Sequence, residues 1–134
     1  MAATATQQII QNGQRNLVLK YTIAGTTGDT SAGQLVDASA FNDSNGTALG
    51  ANSLTLLKVK SSLTGFSCKL AWDATTDVDL VELPTDADID FCFKDIGGIK
   101  DNGGAGSTGD IMLTTTGYTA SGDGGTIILW LRKP

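Results

Sequence analysis

The sequence predicts an all-β fold, an antiparallel β-sandwich or jelly roll of about seven to nine short strands. Three observations carry this. Residues 16–23, 66–72 and 88–93 alternate large apolar with polar side chains, the period of a strand with one face buried. Seventeen glycines against two prolines supply many turns without collagen-like or proline-rich character. No window of helical length shows a 3.6-residue apolar period.

Taken in order, residues 1–13 form a small, polar, flexible arm, loose from the domain and ending in the turn signal Asn12-Gly13, with Ile9 and Ile10 as its large apolar side chains. A single domain, 14–134, follows. Its first strand, 16–23, places Leu17, Leu19, Tyr21 and Ile23 on one face and Lys20 and Thr22 on the other. Leu35-Val36-Asp37 forms a short strand after a Gly/Thr loop. In 53–60 the apolar phase slips between Leu56 and Leu57, which marks a bulge.

The hairpin 65–84 is expected at the centre of the domain. Phe66, Cys68, Leu70 and Trp72 share one face, 73–77 turns, and the return strand 78–83 ends at Pro84. Residues 88–94 then alternate with Ile89, Phe91 and Phe93 inward. A glycine-rich, flexible surface loop spans 95–109, and the strand 110–116 runs through Ile111 and Leu113. The last strand, 126–132, is apolar on both faces, as Ile127, Leu129 and Leu131 alternate with Ile128 and Trp130. Such a strand belongs mid-sheet, covered on both sides. The expected core is Leu17, Leu19, Tyr21, Phe66, Leu70, Trp72, Phe91, Phe93, Ile111, Leu113, Ile128 and Trp130.

The net charge of −5 and pI near 4.4 argue against a nucleic-acid surface, which needs a basic stripe. Lys58, Lys60, Lys69 and Lys94 are placed on separate strands, with no need to form a patch. Cys68 reads as a buried free thiol and Cys92 as facing the other way, so no disulfide is expected, in keeping with assembly in a reducing cytoplasm. No stretch approaches the roughly 18 apolar residues of a membrane span, and 1–11 has no signal-peptide character.

Candidates for chemistry are weak. The chain has no histidine, which removes the commonest general base, the usual triads and most zinc sites. Asp86-Ala87-Asp88-Ile89-Asp90 starts like a calcium loop, but Phe91 stands where glycine is required and Gly97 where the bidentate glutamate belongs. It reads as a solvated strand face. Asp73, Asp77 and Asp79 read as turn chemistry. Gly103 to Gly109 resembles a phosphate loop, but Asp110 follows where lysine is needed. Glu82 is the sole glutamate and lacks an aromatic platform, and Trp72 and Trp130 fall in apolar phases. No catalytic, cofactor-binding or metal-ligating residue is assigned, and no cofactor is expected.

The pattern as a whole resembles a group of small structural proteins encoded by tailed bacteriophages. The features that carry it are Gln14-Arg15-Asn16-Leu17-Val18-Leu19-Lys20, Leu70-Ala71-Trp72-Asp73-Ala74-Thr75-Thr76-Asp77, 93–98 running into Asn102-Gly103-Gly104-Ala105-Gly106, Gly109-Asp110-Ile111, and 127–133. The resemblance implies a virion component without an active site, foremost a capsid decoration (cement) protein on the capsid exterior. Its protomers are β-sandwiches or jelly rolls that often act as trimers. The implied partners are the major capsid protein and further copies of the chain, with neither nucleic acid nor membrane. No residue is carried over from the resemblance; Ile9 and Ile10 are candidate assembly contacts because they are the large apolar side chains of an otherwise small, polar arm. The alternatives are a tail, neck or head-fibre component, or a carbohydrate- or calcium-binding β-sandwich module.

Overall fold

The computed structural model describes residues 3–134. Among them the chain forms ten strands: β1 (Thr4–Asn12), β2 (Asn16–Ala24), β3 (Gly33–Val36), β4 (Thr55–Thr64), β5 (Ser67–Trp72), β6 (Val78–Leu83), β7 (Asp88–Cys92), β8 (Ile99–Lys100), β9 (Ile111–Thr116) and β10 (Gly124–Arg132). Two single 3-10 turns, Ala38–Ala40 and Lys94–Ile96, are the helical elements. All strand pairs are antiparallel, and they make two sheets. The larger runs β1-β2-β10-β4-β7, with β8 also on β4, and the smaller runs β3-β9-β5-β6. The fold is the β-sandwich that the alternation predicts.

The connectivity follows from four nested pairs. β2 pairs with β10, β3 with β9, β4 with β7, and β5 with β6, like one long hairpin folded across two layers. Contacts between β10 and β4, and between β5 and β9, close the sheets. This is the winding of a jelly roll. The core lies between the layers and draws Leu17, Leu19, Tyr21, Ile127, Leu129 and Leu131 from the larger sheet, and Val36, Leu70, Trp72, Ile111 and Leu113 from the smaller. Phe66 and Tyr118 meet edge to face at 5.0 Å between ring centroids. The bulge also falls where the phase slips. Trp130 pairs with Lys58 and Leu131 with Leu56, leaving Leu57 as the extra residue.

Several expectations are overturned. Residues 4–12 are not a loose arm, because β1 pairs with β2 from Thr4↔Ala24 to Asn12↔Leu17; residues 1 and 2 lie outside the described residues. Ala3 is buried, its N–H donates to Gly28 O at 3.1 Å, and Gln7 Nε2 donates to the buried Tyr21 hydroxyl at 2.7 Å. The domain therefore begins before residue 14. The hairpin β5–β6 lies at one side of the smaller sheet and is not the centre; β10 is the middle strand of the larger sheet.

Three of the expected core residues need correction. Ile127, Leu129 and Leu131 take the inward phase of β10, because Leu129 pairs with Leu19 and both are fully buried. Ile128 and Trp130 consequently face outward and are half-buried. Phe91 points inward by its pairing with the buried Val59, yet it is 37% exposed, since β7 is an edge strand that the smaller sheet leaves uncovered. Phe93, though half-buried, does pack against the core, and it stacks on Phe91 at 6.1 Å.

The 95–109 loop is pinned at several points and is not free at the surface. The buried carboxylate of Asp101 accepts from Gly103 N and Asn52 N, each at 2.9 Å, and Ala105 O accepts from Thr75 N at 2.9 Å. At its end Gly109 has φ 85° and lies so close to Gly50 that a Cβ would stand 2.1 Å from that carbonyl oxygen. Only glycine fits there.

Candidate functional site

One surface gathers residues that the sequence leaves dispersed: the outer face of the larger sheet. Register fixes its rows. Val18, Trp130, Lys58 and Cys92 lie side by side across β2, β10, β4 and β7. The next row is Lys20, Ile128, Lys60 and Asp90, and the third is Thr22, Thr126, Ser62 and Asp88. Among the described residues no second layer covers this face, so the expectation that β10 is covered on both sides fails.

Lys58 and Lys60 do not sit on separate strands. Both belong to β4 and point to the same face, where Lys20 and Arg132 join them. Four of the nine basic residues thus surround Ile128 and Trp130, on a chain of net charge −5. Asp90 lies 3.7 Å from Lys58 Nζ and 3.8 Å from Lys60 Nζ. Lys58 Nζ also stands 5.2 Å from the centroid of the Trp130 ring, a cation–π contact. The β4–β7 side is therefore locally neutralised, while Lys20 has no ion pair among the described residues and Arg132 Nη2 donates to Gly97 O at 3.2 Å. Beside Ile128 a shallow groove of about 400 Å³ is lined by Lys60, Ser62, Thr126, Asp88 and Asp90.

The acidic clusters separate into local tasks. Asp86 Oδ1 accepts from Gly65 N at 3.0 Å in the turn before β7, whereas Asp88 and Asp90 face outward on the strand. Asp73 accepts from Thr108 Oγ1 at 2.7 Å, Asp77 from Ala74 N at 3.1 Å, and Asp79 pairs with Lys69 at 3.3 Å. Among the described residues no three His, Cys, Asp or Glu side chains are grouped to hold a metal ion. Both cysteines are free: Cys92 is exposed, and burial pushes the Cys68 thiol up to about 12. Burial likewise raises Tyr21 to about 12, against the opposing hydrogen bond from Gln7. Among the described residues no helix is long and apolar enough to cross a membrane. Ile9 and Ile10 stand exposed on β1, at the edge of the same sheet.

Asp29 is a structural carboxylate that the sequence does not single out. It latches the turn after β9 by accepting from Tyr118 N at 2.9 Å, Thr115 Oγ1 at 3.0 Å and Gly117 N at 3.3 Å. The Tyr118 bond leads in holding its carboxyl below the usual range, with Thr115 and Gly117 adding to it against a smaller desolvation effect. A pKa lower in the folded chain means that the carboxylate stabilises the fold above its unfolded pKa of about 4. That stabilisation is lost as pH falls through the folded pKa. The melting temperature of the parent should exceed that of Asp29→Asn at neutral pH, and the gap should close on acidification below about pH 4. A gap that stays constant from neutral to acid pH would mean the carboxylate charge is irrelevant.

No protein-family model, curated protein or solved structure significantly matches this chain.

Proposed function

We propose that the chain is a non-enzymatic structural protein of a phage virion, a capsid decoration (cement) protein that binds and stabilises the outside of the head. It acts as a homo-oligomer, a trimer, seated on the major capsid protein. The observation that carries this reading is where the exposed apolar side chains lie. Ile9 (49% exposed) and Ile10 (54%) stand on β1, and Phe91 (37%) and Ile96 (73%) on or just past β7. Those strands are the two edges of the larger sheet. Apolar groups on opposite edges suit a domain that makes side-by-side contacts in an array.

β1 adds a second feature. Its nine residues carry no charge and no proline, the devices by which edge strands commonly resist pairing. A neighbour can extend the sheet there or receive Ile9 and Ile10 in a groove. Repetition over a lattice lets modest contacts hold by avidity. Jelly-roll winding is also used by viral capsid and lectin domains, an analogy at the level of fold.

The test is to add the purified protein to heads that lack it. Expected are saturable binding on the exterior, a copy number on the scale of the shell lattice, and a higher melting temperature of the shell. The double variant Ile9→Thr, Ile10→Thr keeps strand-forming side chains and should fold as the parent does, but bind more weakly. Location at the tail or neck, or no binding to heads, would overturn the reading.

A further inference from the structure

We infer that the outer face of the larger sheet is a binding site for a carboxylate-bearing glycan, seated over Ile128 and Trp130. This inference is independent of any place in a virion.

The side chains at the centre of this face are misplaced for a surface that meets only water. A tryptophan and an isoleucine point outward two residues apart on the middle strand, beside Val18, which is itself only 9% exposed. A sugar ring has an apolar face, which an aromatic or aliphatic side chain desolvates, and a rim of hydroxyls. The rim has partners here. In the groove beside Ile128, Asp88 and Asp90 accept hydrogen bonds, Lys60 donates them, and Ser62 and Thr126 do both. About 400 Å³ is within the range of small-ligand sites.

Charge selects within the sugars. Cations outnumber carboxylates on this face, although the chain as a whole is acidic. The surplus lies on one side. Lys58 and Lys60 share Asp90, whereas Lys20, directly across from Ile128, has no ion pair among the described residues, and Arg132 follows Trp130 on the same face. A ligand whose hydroxyls lie over β4 and β7 and whose carboxylate lies over β2 and β10 matches that asymmetry. An acidic protein partner fits less well. Protein interfaces bury roughly 800 Å² per partner around a desolvated apolar centre. The apolar strip here is about one strand wide, with Val18 already covered.

The test uses the full chain and oligogalacturonate as probe, followed by tryptophan fluorescence, since Trp72 is buried and Trp130 is the responsive reporter. Expected is saturable binding that weakens with salt, as partly exposed charge pairs do. Lys20→Gln should lower affinity, and Trp130→Ala, followed by calorimetry, should lower it about tenfold or more. The neutral oligosaccharide of the same length should bind more weakly than the acidic one. Should Trp130→Ala fail to fold, Trp130→Phe together with Lys20→Gln carries the same test. The inference is overturned if oligogalacturonate does not bind, if its binding is indifferent to both positions, or if polyglutamate binds as tightly. The last result would make the face a docking surface for acidic protein. Equal binding of a sulfated oligosaccharide would overturn the choice of carboxylate.

Discussion

Removing residues 1–11 is expected to destabilise the domain on the order of 5 kcal/mol. The segment reads as a flexible arm outside the domain in the sequence, yet it contributes nearly all of β1, whose register with β2 runs over eight paired positions. A ladder hydrogen bond contributes about 0.5–1.5 kcal/mol net, and edge bonds, partly replaced by water, sit at the low end of that range. Side chains add to this. Ala3 leaves the core, and the buried Tyr21 hydroxyl loses Gln7. Small domains have about 5–15 kcal/mol in total, so the truncated chain should melt at least ten degrees or so lower or not fold. Circular dichroism during a thermal ramp reads this directly. A truncated chain that melts within a few degrees of the parent would show that β1 does not belong to the fold. Because deletion damages the domain itself, it cannot report on assembly. The substitutions at Ile9 and Ile10 can, since these side chains are 49% and 54% exposed and neither belongs to the buried core.

β1 also shows where sequence reading stops. Strands with one face under the opposite sheet announce themselves. Leu17, Leu19, Tyr21 and Ile23 in β2, or Cys68, Leu70 and Trp72 in β5, alternate because every second position must be apolar. The bulge at Leu57 was legible for the same reason, as an extra residue shifts the apolar phase. An edge strand that meets the smaller sheet only at its start, where Ala3 and Ala5 pack on the core, is under little such demand. In β1 the inward positions are Ala5, Gln7 and Ile9, which spell no pattern. β7 fails in the opposite way: its alternation is clean, but Phe91 points inward where no second layer lies over it.

The candidate site was hidden by a different ambiguity. When both faces of a strand are apolar, period-two alternation does not say which face is inward. β10 offers Ile127, Leu129 and Leu131 against Ile128 and Trp130, and residue size favours the tryptophan face. Pairing decides otherwise, because Leu129 stands opposite Leu19. Once that phase is set, Lys20, Lys58, Lys60 and Arg132 fall on the face of Trp130. The basic patch is invisible in the sequence because its members come from three strands, β2, β4 and β10, which meet only through the long-range pairing of β10 with the other two.

The two tryptophans should therefore respond unequally to the same change. Trp72 is 1% exposed, sits at the end of β5 opposite Ile111 of β9 and Val78 of β6, and is the largest fully buried side chain among the described residues. Trp72→Ala leaves a cavity between the sheets and should cost about 3–5 kcal/mol. Its indole N–H has no hydrogen-bond partner among the described residues. An unpaired buried donor carries a penalty of about 1–3 kcal/mol, so Trp72→Phe should cost less than the loss of volume alone implies. Trp130→Ala opens no internal cavity. It forfeits a contact with Lys58 of about 0.5–1 kcal/mol and some half-buried surface, for a total near 1–2 kcal/mol on area grounds. Urea unfolding followed by far-ultraviolet circular dichroism measures both without relying on the residue removed. If Trp130→Ala costs as much as Trp72→Ala, then β10 has the opposite phase, Trp130 is a core residue, and the outer face loses the aromatic centre on which glycan binding depends.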